Sequence, residues 1–130
     1  LMSHAVSTYL AATELAVVSG YPASQAALAR IDPIDSRIAE RFEIFCAGLE
    51  VANGYRELRD PSEQERRFSI DRTARARLGR PDIVPDSALL AALAAGLPDC
   101  AGVALGFDRV LMFLLGLPDI QSAISFPAGS

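Results

Sequence analysis

The stretch Arg41-Phe-Glu-Ile-Phe-Cys-Ala-Gly-Leu-Glu-Val-Ala-Asn-Gly-Tyr-Arg-Glu-Leu58 decides how this chain folds. Phe42, Ile44 and Cys46 alternate with Glu43 and Phe45, the period of an extended strand. A second extended run goes from Leu49 to Leu58, and the small residues Ala47-Gly48 lie between the two, so the segment predicts a β-hairpin. Glu43, Glu50 and Glu57 recur every seven residues in otherwise largely apolar surroundings. A hairpin folded at Cys46-Ala47 or Ala47-Gly48 brings Glu43 and Glu50 nearly opposite each other, where like charges repel unless a cation compensates them. Two carboxylates completed by phosphate oxygens are a usual magnesium arrangement. Asn53, Tyr55 and Glu57 stand at even spacing and therefore share a face. A carboxamide, a ring and a carboxylate together suit a ligand with an ammonium group on an aliphatic stem. Two plainer readings stay open. The glutamates can simply line the wet face of an antiparallel sheet, and Asn53-Gly54 can itself form a tight turn that separates Glu50 from Glu57.

Upstream of the hairpin, Leu1 to Leu10 carries Leu1, Ala5, Val6 and Leu10 at loosely helical spacing. Glu14 to Val18 reads as a short strand ending at Gly20-Tyr21-Pro22, Pro22 to Ala29 as a brief helical turn, and Asp32-Pro33 as a loop. Downstream, Pro61-Ser62 followed by Glu63-Gln64-Glu65 opens a long exposed helix that runs through arginines toward Gly79. Asp86 caps a second helix, rich in Ala and Leu, which Gly96 and Pro98 end. Gly102 to Gly106 reads as a strand, Asp108 begins an apolar helix to Leu115, and Ala123 to Phe126 is expected as an edge strand. Together these elements predict a single α+β unit over residues 1–130, a mostly antiparallel sheet flanked by helices.

Composition narrows the function. With 51% hydrophobic and 22% charged residues in 130, the chain has the makeup of one globular domain rather than a disordered segment. The apolar run from Val110 to Leu117 is far short of the ~20 residues needed to cross a bilayer, and no signal peptide is recognisable, so a cytoplasmic location is expected. Cys46 and Cys100 are flanked by apolar residues, which points to buried thiols. His4 is the only histidine, which argues against a His-based triad or a histidine zinc site. All 12 basic residues are arginine, against 16 acids, and the net charge of -4 is unlike that of a general nucleic-acid binder. Eight of those arginines fall between Arg56 and Arg80, amid five acids, as a patch for an anionic partner or as a solvated helix laced with ion pairs.

Gly102, Ala104 and Gly106 alternate on one strand face that carries almost no side-chain bulk, so a flat group can lie against it. Three residues on, Arg109 supplies a planar cation able to stack on a base or pair with a phosphate. Gly102-Val-Ala-Leu-Gly-Phe-Asp-Arg109 with the following Val-Leu-Met-Phe-Leu-Leu resembles motif 3 of the class II aminoacyl-tRNA synthetases. Arg41-Phe-Glu-Ile-Phe and Leu49-Glu-Val-Ala-Asn-Gly-Tyr-Arg-Glu-Leu58 resemble the lysine-specific branch of that class. Tyr21-Pro-Ala-Ser-Gln-Ala-Ala-Leu-Ala29 and Gly96-Leu-Pro-Asp-Cys-Ala-Gly102 are similar to its truncated paralogues, which modify elongation factor P.

The resemblance implies that ATP and lysine or (R)-β-lysine give an aminoacyl-adenylate, whose acyl group passes to a lysine of elongation factor P. Glu43 and Glu50 match the magnesium-binding acids, while Glu50, Val51, Gly106 and Arg109 match the ATP site. Arg109 also matches the catalytic arginine of motif 3. Asn53, Tyr55, Glu57 and Ala104 match the amino-acid pocket. Lysyl-tRNA synthetases usually carry glycine where Ala104 stands, and its methyl group narrows that pocket. A lysyl-tRNA synthetase acting on tRNA is one rival reading, and a noncatalytic synthetase-like binding module another. The chain begins at Leu1, and neither motif 1, which builds the family's dimer interface, nor motif 2, with its α-phosphate arginine, is recognisable. The expectation is therefore a C-terminal piece of the catalytic domain of a homodimeric enzyme, inactive alone and exposing a face that the rest of the protein would cover.

Overall fold

A computed structural model describes residues 2–127. Leu1, where the first helix was expected to begin, and the side chain of His4 lie outside what it describes. Four helices and four strands follow in the order α1 (Met2–Leu10), β1 (Leu15–Pro22), β2 (Ile38–Cys46), β3 (Leu49–Arg56), α2 (Pro61–Arg77), α3 (Ser87–Ala95), β4 (Ala101–Leu105) and α4 (Phe107–Leu115). The strands form one antiparallel sheet in the order β1-β2-β3-β4, the α+β class that the sequence predicts. Asn53-Gly54 lies inside β3, so the alternative turn there is not used.

Contacts divide the chain into two compact units. The first comprises Leu1–Tyr21, Arg41–Gly54 and Val103–Ser130; the second comprises Pro22–Glu40 and Tyr55–Gly102. In the first unit Phe45 is the largest fully buried side chain among the described residues, and Tyr21, Cys46, Val51 and Ala52 are buried as well. Its hairpin turns at Ala47 and Gly48, both with positive φ (47° and 79°), the type I′ geometry whose twist matches that of the strands. A Cβ on Gly48 would stand 2.5 Å from the carbonyl oxygen of Ser7 and 3.1 Å from Cα of Ala11, so α1 packs against the bare turn. Gly48→Ala is therefore expected to cost about 1–3 kcal/mol through backbone strain, with the clash added to it. Gly20→Ala, at φ +71 with no atom within 4 Å, isolates the strain alone. Denaturant midpoints of the two variants check the difference.

The second unit buries Ala26, Ala29, Ala39, Leu58 and Leu93. The segment Pro22 to Ala29 makes one 3-10 turn at Ala23–Gln25, then continues as an irregular strand bridged antiparallel from Ala29 to Glu57 and from Ile31 to Ala39. Asp60 caps α2 by accepting from the N–H groups of Ser62 and Glu63, with Pro61 in the first turn. Arg66 and Arg67 both donate to Glu63 and hold its carboxyl down at a pKa of about 2. Arg67 also reaches the carbonyls of Ala27 and Ala29, each at 2.8 Å, pinning the helix to that loop. Arg56 pairs with Asp99 and Arg72 with Asp82, so much of the arginine-rich stretch is matched by ion pairs of its own. Asp86 caps α3, and Gly96 ends it at φ 105°, as the sequence predicts.

The expected last strand does not form. Ala123 to Phe126 is no strand; Asp119 instead caps a 3-10 turn at Ile120–Ser122 by accepting from the Ser122 N–H, and this turn packs on α4. The chain then runs on irregularly between turn and Pro127, with Phe126 93% exposed. A short apolar run makes a strand only where a neighbour offers free backbone groups, and the local Asp cap takes the chain elsewhere.

Candidate active site

In the first unit, β3, β4 and the start of α4 bring four motif residues together. The Gly106 N–H donates to the Val51 carbonyl at 2.9 Å, and Arg109 Nη1 donates to the Glu50 carbonyl at 2.8 Å. Gly106 is the N-terminal boundary of α4, so the strand-to-helix turn projects Arg109 back over β3. Arg109 is exposed, and the atoms nearest to a Cβ on Gly106 would be those of its aliphatic stem, from 3.4 Å. The bond between Gly106 and Val51 also sets Asn53 across the ladder from Ala104.

That bond reveals a departure from strict pairing. A two-residue turn at Ala47-Gly48 pairs Cys46 with Leu49, so the backbone groups of Leu49 face β2. Val51, two residues on, should face the same way, yet its carbonyl faces β4. One extra residue must lie between them, a β-bulge around Glu50. Beyond the bulge Glu43 comes across from Asn53, not from Glu50, and Arg41, Glu43 and Asn53 share a face. Arg41 Nε accordingly donates to Asn53 Oδ1 at 3.4 Å.

Glu43 is not on a wet face. It is 4% exposed, with Tyr21 Oη donating to its Oε2 at 2.6 Å and Arg41 Nη2 donating to its Oε1. The Arg41 guanidinium also lies 4.7 Å from the centre of the Tyr21 ring. Burial pushes the Tyr21 phenol far above its ordinary pKa, and the hydrogen bond to Glu43 and the charges of Glu43 and Glu50 push the same way. Both acids therefore act on one side chain. In the sequence Tyr21 and Arg41 stand out only as members of motifs, not as partners of Glu43. The available signal was that Arg41, two residues before Glu43 in a strand, must share its face.

Among the described residues no group of three or more His, Cys, Asp or Glu could hold a metal. Glu43 and Glu50 supply two carboxylates, the number a magnesium ion delivered with phosphates takes from protein, and both oxygens of Glu43 already accept hydrogen bonds, from Tyr21 and Arg41. They do not make an all-protein cage.

In the second unit, the Glu57 N–H donates to the Cys100 carbonyl at 3.0 Å, which sets Tyr55 across from Gly102. A Cβ built on Gly102 would lie 3.0 Å from Glu57 Oε1, so the bare strand leaves room for that carboxylate. Arg56, next in sequence, is turned to Asp99 and Glu40.

Glu50, Val51, Gly106 and Arg109 thus meet at a strand-to-helix turn, in the same unit as the buried Glu43. The chain belongs to the class II tRNA synthetases (D, K and N), whose family model matches residues 6–130. Among curated relatives, it is 53% identical over 86% of its length to the elongation factor P–(R)-β-lysine ligase of Vibrio atlanticus, of which it covers 35%. The ligase of the same name from Klebsiella pneumoniae strain 342 is 55% identical over 82% of the chain, and that from Mannheimia succiniciproducens 49% identical over 97%. The chain spans about a third of the length of these relatives, 33% to 39%. No helix among the described residues is long and apolar enough to cross a membrane.

Proposed function

We propose that the protein containing this chain activates lysine or (R)-β-lysine with ATP and transfers it to a lysine of elongation factor P. The observation that carries this reading is the gathering, within one unit, of the four residues assigned to ATP: Glu50, Val51, Gly106 and Arg109. The names of the relatives and the methyl group of Ala104 favour this acceptor over tRNA.

In the reaction, the amino-acid carboxylate attacks the α-phosphorus, the bond to the β-phosphate breaks, and pyrophosphate leaves. The acceptor amine then attacks the acyl carbon and AMP departs. Positioning and charge neutralisation supply most of the rate, and no residue need act as a covalent nucleophile. Magnesium, held by Glu43 and Glu50, would neutralise and align the phosphates. Arg109 supplies a planar cation for the base or the terminal phosphate, and its bond to the Glu50 carbonyl fixes its stem. Glu57, Asn53 and Tyr55 bind the amino groups and stem of the substrate. The proposed setting is the cytoplasm, with the parent enzyme a homodimer whose remaining part supplies motifs 1 and 2, so the piece alone is inactive.

The test uses full-length protein carrying this segment, with ATP, Mg2+, and lysine or (R)-β-lysine. Mass spectrometry is expected to find the acyl group on elongation factor P. Efficient charging of tRNA instead would reassign the protein as a lysyl-tRNA synthetase, and no exchange of pyrophosphate into ATP with any amino acid would make it a binding module.

A further inference from the structure

We propose that Arg41, seated on the Tyr21 ring, is a positioning residue that couples the carboxylate assigned to magnesium, Glu43, to the carboxamide assigned to the amino-acid pocket, Asn53. The inference rests on the functional reading above and deepens it.

Simple charge compensation for a buried carboxylate would be met best by a bidentate pair, with Nε–H and Nη2–H of one guanidinium edge both on Glu43. The structure divides that edge: Nη2 goes to Glu43 Oε1 and Nε to Asn53 Oδ1. The other carboxylate oxygen, Oε2, receives Tyr21 Oη at 2.6 Å. Each oxygen of Glu43 thus has its own donor, and the two donors brace each other through the 4.7 Å ring contact. Because Asn53 accepts through its oxygen, its NH2 group is fixed as the end left for other partners. The side chains of Arg41 and Glu43 are 16% and 5% exposed, so the network is shielded from water. A shift of the guanidinium moves both acceptors at once. Residues that orient others in this way, without touching the ion or substrate, are commonly worth about 10- to 100-fold in affinity or activity.

Two conservative variants in the full-length protein test this by ATP–pyrophosphate exchange. Arg41→Lys keeps the positive charge beside Glu43 but cannot serve two acceptors from one planar edge. It is expected to lower exchange about 10- to 100-fold and to raise the KM for both ATP and amino acid. Tyr21→Phe removes only the bond to Glu43 Oε2, and should raise the magnesium and ATP requirement about 3- to 10-fold, the usual effect of one hydrogen bond, while leaving the amino-acid KM in place. A purely structural role for Arg41 predicts a lower melting temperature with unchanged constants per folded molecule, and that result overturns the inference. So does an Arg41→Lys effect confined to one substrate. If the unaltered protein shows no exchange, the functional reading fails first and takes the coupling with it; if it is active and Arg41→Lys matches it, only the coupling fails.

Discussion

Arg109→Ala in the full-length protein is expected to lower ATP–pyrophosphate exchange about 10²- to 10³-fold, the usual consequence of removing a group that stabilises charge at the reacting centre. Two contributions vanish together. The planar cation that would face the nucleotide is lost, and so is the 2.8 Å bond that ties the start of α4 to the Glu50 carbonyl. The KM for ATP should rise more than that for the amino acid, since the Arg109 partners in the structure belong to the ATP set. Arg109→Lys is expected to recover only part of the loss, because an ammonium is a point charge that neither stacks nor forks. Equal damage to both substrate constants would contradict the assignment to the nucleotide.

Glu57→Gln is expected to produce the opposite pattern. Taking the charge from a carboxylate that pairs with a substrate ammonium costs about 2–5 kcal/mol when the pair is desolvated, so the amino-acid KM should rise at least about 30-fold. The ATP constant should change little. Gly102→Ala checks the same carboxylate by a steric route: its Cβ would press on Glu57 Oε1 at 3.0 Å, and the carboxylate must give way. A smaller rise in amino-acid KM is expected there, with ATP again unaffected. If Glu57→Gln weakened ATP as much as amino acid, the pocket assignment would fall. Steady-state titration of each substrate at saturating levels of the other separates these outcomes.

Much of the architecture is legible in local sequence because local chemistry decides it. Asp60 with Pro61, and Asp86 with Gly96, bracket α2 and α3 as expected, since caps act over a single turn. Ala47-Gly48 marks the hairpin because a small residue followed by glycine, which takes positive φ freely, can close it tightly. The misread edge strand at Ala123 to Phe126 has the opposite cause. Strand formation depends on a neighbour that a linear reading cannot supply, while Asp119 offers a cap close at hand.

The sequence by itself determined the order of elements, the family, and the residue types present for binding a nucleotide and an amino acid, because motifs and caps are encoded in short spans. Only the tertiary structure decided which way the acids face. The bulge around Glu50 shifts the alternation of β3, so that Asn53 comes to the face that Arg41 and Glu43 already share in β2. The burial of Glu43 beneath Tyr21 turns a candidate wet-face glutamate into one whose two oxygens are each held. An inserted residue in a ladder and a contact between residues 22 positions apart depend on how separate strands come to lie together, and no local pattern specifies that.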